Sequence, residues 1–200
     1  MNLPNKLTIL RMCAIPLIIA ISLIPGLREI TVYGTITLDL IILLIVFALA
    51  SFTDFLDGKI ARKYNLITNF GKFMDPLADK LLVMSTLIVL LEKGMFSAFG
   101  ISFGFAIIVI LAREFAVTGL RTIAADNKKV IAASKLGKLK TVSQMVMIIF
   151  LLVDCYPFRM ISDLIGDIAC VILISIATVL TIVSGVDYFV KNKHVLKESK

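Results

Sequence analysis

Polar and apolar positions along the 200 residues fall into long blocks, with stretches free of charge at 12–27, 40–53, 81–91, 94–112, 141–153 and 168–186. Membrane barrel strands alternate polar and apolar residues, and these blocks do not. Continuous apolar runs instead predict helices, whose backbone hydrogen bonds close within each segment. Several runs fall short of the roughly 20 residues that a bilayer core demands. The helices must therefore be completed by polar residues at their ends, and these cluster at alternate ends of the chain's path. The pattern predicts an all-α membrane protein of six transmembrane helices, with a polar cavity open to one membrane face.

Composition agrees, because 59% hydrophobic residues, 18% charged residues and a mean hydropathy of +0.99 lie outside the soluble range. A chain of 22.0 kDa leaves no room for a second folded domain beside its spans, so one transmembrane domain is expected over residues 1–200. The net charge of +7 raises the question of nucleic acid, and position answers it. With six spans, both termini and the loops around 54–80 and 113–140 share one side, which holds eighteen of the 21 Lys and Arg residues; Arg28, Lys93 and Arg159 lie opposite. That asymmetry puts the first side in the cytoplasm, makes the chain a multi-pass plasma-membrane protein, and needs no nucleic-acid partner.

Smaller features follow the same plan. Lys6 and Arg11 precede an apolar stretch as in a signal peptide, but no small-residue cleavage site follows, so a retained first span is expected. Cys13, Cys155 and Cys170 are odd in number and lack CxxC spacing, which marks them as small membrane-core residues. Gly100 and Gly104 form a GxxxG at the expected start of the fourth span, a spacing that lets helices approach closely. The lone His194 belongs to a solvated, Lys-rich tail.

Four carboxylates stand out against this background. The end of the second block reads Asp54-Phe-Leu-Asp57-Gly58-Lys-Ile-Ala61-Arg62; eight residues later comes Gly71-Lys-Phe-Met-Asp75-Pro-Leu-Ala-Asp79. On helices Asp54 and Asp57 share a face, as do Asp75 and Asp79, and the short connection folds the second pair back beside the first. Like charges that close cannot all stay ionised unless something positive sits between them. Solvated helix ends, with Asp75 capping a helix that begins at Pro76, would explain one or two of the four. Four facing carboxylates, near Gly58 and Gly71 where a ligand can approach backbone closely, point to a divalent metal. Oxygen donors without His or Cys select Mg²⁺ or Mn²⁺, which complete their shells with substrate phosphate. Four carboxylates suffice for two ions, the arrangement that clamps both oxygens of a displacement at phosphorus, and Arg62 is placed to hold a further phosphate oxygen. Phosphoryl or phosphatidyl transfer is the expected chemistry.

The string Asp-x2-Asp-Gly-x2-Ala-Arg-x8-Gly-x3-Asp-x3-Asp resembles the signature of the CDP-alcohol phosphotransferase family at every fixed position. The resemblance implies a six-span homodimer carrying the signature at the cytoplasmic edge of spans two and three. It makes Asp54, Asp57 and Asp75 the principal metal ligands and Asp79 the general base, which also touches the second ion. Asn2-x-Pro4-Asn5-x-Leu7-Thr8-x-x-Arg11, Ala112-Arg113-Glu114 with Arg121, and Ser134-x-x-Gly137-Lys138-x-Lys140-Thr141 resemble the family branch that uses glycerol 3-phosphate. The implied donor is CDP-diacylglycerol, bound by Asn5, Thr8, Gly58, Ala61, Arg62 and Gly71. The implied acceptor is sn-glycerol 3-phosphate, and the products are phosphatidylglycerophosphate and CMP.

An acceptor carrying a dianionic phosphate needs its own cations to offset four Asp. Arg113 and Arg121, about 80° apart on one helix, and Lys135 and Lys138, one turn apart on the next, are the candidates. Anchoring to anionic lipid, or a simple Arg113–Glu114 ion pair, competes with that role. Two other functions stand beside the main one: transfer to inositol phosphate, serine or a second lipid, and divalent-cation transport through intramembrane carboxylates.

Overall fold

The computed structural model describes residues 2–63, 69–126, 131 and 134–193. Two compact units divide the chain, Met1–Met95 with Leu152–Tyr156, and Phe96–Leu151 with Pro157–Lys200.

In the first unit, α1 (Leu3–Ser22) leads through the short α2 (Pro25–Glu29) and a hairpin of β1 (Thr31–Tyr33) and β2 (Ile36–Thr37) into two long helices, α3 (Leu38–Lys63) and α4 (Asn69–Glu92). A proline in the first turn of α1 costs no hydrogen bond there, so the helix begins well before the uncharged run and includes Asn5, Thr8 and Arg11. α1 packs against both α3 and α4, and the unit buries Ile18, Leu40, Leu43, Phe47, Leu82 and Leu90. Gly34 turns the hairpin at a φ of +55°, and a Cβ there would stand 2.6 Å from the Tyr156 ring, which packs edge-on against Tyr33. Lys93, expected as an outer surface charge, is instead buried and donates to Asp39 in the first turn of α3.

α4 bears on the capping alternative weighed against a metal site. The helix starts at Asn69, so Asp75 is not its cap; Asp75 and Pro76 lie inside it. Pro76, the eighth residue of α4, removes the hydrogen bond to the carbonyl four residues back and crowds that carbonyl, a local cost that the packing of α4 against α1 has to offset.

The second unit opens with a hairpin of β3 (Ser97–Ala98) and β4 (Ile101–Ser102), followed by α5 (Phe105–Asp126) and α6 (Lys135–Leu152). The single turn α7 (Tyr156–Arg159) precedes α8 (Asp163–Lys191). α5 packs along α8, where Tyr188 joins Val117, Leu120 and Ala124 in a core, and Gln144 of α6 donates to the Thr181 hydroxyl at 3.1 Å. The uncharged block 94–112 is therefore helical only from Phe105 onward. Phe99 and Gly100 form a two-residue turn with φ of +54° and +72°, the positive values that a tight hairpin requires. Gly100 is a turn residue and Gly104 precedes α5, so the GxxxG spacing does not form a helical face.

α8 is apolar on its outside. Ile168, Ile172, Ile176, Val179, Val183 and Val186 are exposed at helical spacing, while Gly166, Cys170, Thr178, Thr181, Ser184 and Gly185 are buried. In water the faces would be reversed; in lipid an apolar outer face over a small, polar inner one is the stable order. Among the described residues, α1 over Asn5–Ser22 and α8 over Asp163–Lys191 are long and apolar enough to cross a bilayer. The three cysteines are free thiols, with Cys155 and Cys170 buried and Cys13 exposed.

Candidate functional site

Thr8 and Arg11, three residues apart, share one face of α1, and Asp75 and Asp79, four apart, share one face of α4. The two pairs meet in order along the helices. Thr8 Oγ1 donates to Asp75 Oδ1 at 2.5 Å, and Arg11 Nη1 donates to Asp79 Oδ1 at 2.7 Å. α3 contributes the third carboxylate, with Asp54 Oδ1 3.2 Å from the same Nη1. One guanidinium nitrogen thus joins both halves of the acidic string.

The electrostatics explain this arrangement. Arg11 is fully buried, whereas the side chains of Asp54 and Asp79 keep 40% and 42% of their exposure. A buried guanidinium without counter-charge is strongly unfavourable, and two neighbouring carboxylates without a cation repel. Each side of the contact answers the other's need. The positive charge that the carboxylates require is supplied, at least in part, by the chain itself. In the sequence Arg11 stands out as a charge before the first apolar block, as a cytoplasmic cation and as a member of the opening string, none of which marks it as the partner of the carboxylates. Its i, i+3 spacing from Thr8, beside carboxylates in need of a counter-ion, is the signal that could have singled it out.

Gly71 is buried near the start of α4, and Asn5 is partly buried one turn before Thr8. Asp57, Gly58, Ala61 and Arg62 lie on the last turns of α3, and their side chains fall outside the described residues, as do residues 64–68 of the connection. Among the described residues no three His, Cys, Asp or Glu side chains stand close enough to share an ion. The donor chemistry nevertheless fits a hard divalent cation: partly exposed carboxylate oxygens beside a buried hydroxyl, with no imidazole or thiolate at the cluster among the described residues. Beside it an apolar groove of about 220 Å³ runs between α1 and α3. Ala14 and Leu17 line it from one helix and Val46 and Leu49 from the other, and Arg11 and Thr53 close the end nearest the carboxylates.

In the second unit Arg113 makes the ion pair with Glu114 that stands as the alternative to a phosphate-binding role. Glu114 Oε1 accepts from Arg113 Nη1 at 2.9 Å and from Lys140 Nζ across on α6. Gly185 makes room for the arginine, whereas Gly137 is only in ordinary contact with it. A Cβ on Gly185 would lie 3.1 Å from Arg113 Cγ, and one on Gly137 would lie 3.9 Å from Arg113 Nη2. Ser134 Oγ accepts the Gly137 N–H at 2.9 Å, which makes the Ser134-x-x-Gly137 spacing a helix cap for α6. Arg121 lies two turns further along α5, where its Nε donates to the Tyr188 hydroxyl at 2.9 Å and its guanidinium sits 5.4 Å from that ring's centre. Lys135 and Lys138 are exposed on the first turn of α6, and the buried lysine of that helix is Lys140.

Residues 1–183 match the CDP-alcohol phosphatidyltransferase family. The chain is 44% identical, over 99% of its own length and 98% of the relative's, to a Bacillus subtilis protein named CDP-diacylglycerol–glycerol-3-phosphate 3-phosphatidyltransferase. Proteins of the same name from Rickettsia bellii and Mycoplasma pneumoniae are 43% and 38% identical. The first match covers 94% of this chain and 93% of the relative, the second 78% and 69%.

Proposed function

The chain belongs to the CDP-alcohol phosphatidyltransferase family, and from that premise we propose that it transfers the phosphatidyl group of CDP-diacylglycerol to sn-glycerol 3-phosphate, forming phosphatidylglycerophosphate and CMP. The observation that carries this reading is the convergence of Asp54, Asp75 and Asp79 on Thr8 and Arg11. Carboxylates of the acidic string meet residues of the opening string at one spot, and an apolar groove ends there. A donor with a charged head and an acyl tail needs both surfaces side by side.

Asp54, Asp57 and Asp75 would hold Mg²⁺ or Mn²⁺, with Asp79 approaching a second ion; such ions, when bound, neutralise the diphosphate and acidify the acceptor hydroxyl. Asp79 accepts the proton of the acceptor's primary hydroxyl. That oxygen bonds to the phosphorus bearing diacylglycerol, the bond from this phosphorus to the CMP oxygen breaks, and CMP leaves with the electron pair. Thr8 and Arg11 hold Asp75 and Asp79 from α1, while Asn5, Gly58, Ala61, Arg62 and Gly71 bind the donor's head. Arg113 takes the acceptor phosphate, flanked by Arg121, Lys135 and Lys138.

The test is a radiolabel assay of the purified protein with Mg²⁺, CDP-diacylglycerol and a panel of acceptors. Transfer to glycerol 3-phosphate should exceed transfer to inositol phosphate or serine by at least a hundredfold in kcat/KM, because sites that pair with a substrate's polar groups reject substrates lacking them. Comparable transfer to another acceptor would reassign the acceptor and leave the donor chemistry standing.

The same proposal includes six spans in the plasma membrane, both termini and the acidic cluster on the cytoplasmic side, and a homodimer. In a background with the three native cysteines replaced, a cysteine at the exposed Arg28 should react with an impermeant thiol reagent in intact cells, whereas one at Lys138 should react only after lysis. Labelling of position 138 in intact cells would overturn that topology.

A further inference from the structure

Arg11 reaches the acidic cluster from inside the protein. Its side chain is fully buried, and its Nη1 lies 2.7 Å from Asp79 Oδ1 and 3.2 Å from Asp54 Oδ1, while those carboxylates keep 42% and 40% of their exposure. The cluster therefore has a closed side filled by a guanidinium and an open side that faces outward. A divalent cation would arrive from the open side, toward oxygens already in contact with a positive charge.

The guanidinium has no easy way to yield. An arginine does not shed its charge as a lysine or histidine can. Arg11 stands on α1, which packs against both α3 and α4, and the neighbouring Thr8–Asp75 hydrogen bond of 2.5 Å fixes the register of α1 on α4. Withdrawal would part a buried charge from two carboxylates, which is the costly way to break such a contact. Arg11 thus stays beside Asp54 and Asp79 whatever else they hold. We infer that Arg11 is a resident counter-cation that fastens these two carboxylates and, by its fixed charge, lowers the affinity of the cluster for a divalent ion. The inference rests on the proposed divalent-ion site and deepens it. Its chemical consequence is that the ion is held firmly only where further negative charge accompanies it, and a substrate diphosphate supplies that charge.

The affinity of the purified protein for Mn²⁺ alone, read by isothermal titration without either substrate, tests the inference. Arg11→Met should bind Mn²⁺ at least tenfold more tightly than the parent, because a like charge beside the ion is gone. Arg11→Lys restores that charge and should return the Kd to within about threefold of the parent. A residue that merely shaped the site would instead weaken Mn²⁺ binding when removed. If Arg11→Met does not yield folded protein, Arg11→Gln, which is neutral and keeps an amide donor, takes its place. An unchanged or weaker affinity in the neutral variant overturns the inference, and so does an Arg11→Lys affinity as tight as that of the neutral variant. Mn²⁺ binding in neither the parent nor the neutral variant defeats the divalent-ion site itself and the inference with it. The other failures leave that site standing, so the two are distinguishable.

Discussion

Asp79→Asn should lower kcat by about a thousandfold or more while leaving the KM for CDP-diacylglycerol within threefold of the parent. Asparagine keeps the shape of the side chain, and its amide oxygen can still accept the 2.7 Å hydrogen bond from Arg11. It cannot take a proton from the acceptor hydroxyl, and general-base catalysis is worth about 10²–10⁴ in rate. Asp75→Asn should behave differently, because the residue is proposed as a metal ligand held by Thr8. There the affinity for Mn²⁺, read by isothermal titration, should fall together with donor affinity. Near-normal kcat in Asp79→Asn would end its assignment as the base. Unaltered Mn²⁺ affinity in Asp75→Asn would remove that residue from the ligand set.

Arg11→Met, which retains an apolar stem and loses the charge, should cut kcat/KM by about a hundredfold and lower the thermal midpoint in detergent. Each charge-assisted hydrogen bond is worth about 1.5–3 kcal/mol. The two partners, however, are 40% and 42% exposed, so solvent screens both contacts and the pair is better set at about 2–3 kcal/mol in total. A hundredfold change in rate corresponds to about 2.7 kcal/mol. Arg11→Lys should recover part of the loss, since a single nitrogen, Nη1, makes both contacts and an ammonium can occupy its place. Comparable kcat/KM in Arg11→Met and the parent would show that Asp54 and Asp79 keep their positions without help from α1.

Residue types and their spacing by themselves determined the helical class and the acidic string of the site. Asp54 with Asp57, and Asp75 with Asp79, can be read as shared faces because i, i+3 and i, i+4 geometry is local to any helix. Helix limits were less legible. Block 94–112 carries no charge, yet it contains a hairpin, because apolar composition over so short a stretch does not distinguish a turn from a helix. Asp75 beside Pro76 could have been a helix start, yet α4 begins at Asn69 and carries Pro76 in its interior, because packing against α1 outweighs the local cost of the proline. Only the tertiary structure decided which cations turn inward. Arg11, Lys93 and Lys140 enter a charge-by-position count like any other basic residue near a helix end, yet each is buried on a carboxylate far away in sequence. A charge can be buried only where a neighbouring helix delivers its counter-ion in register, as α4 does by setting Asp79 against Arg11 across 68 residues, and that register is a property of packed helices rather than of either segment alone.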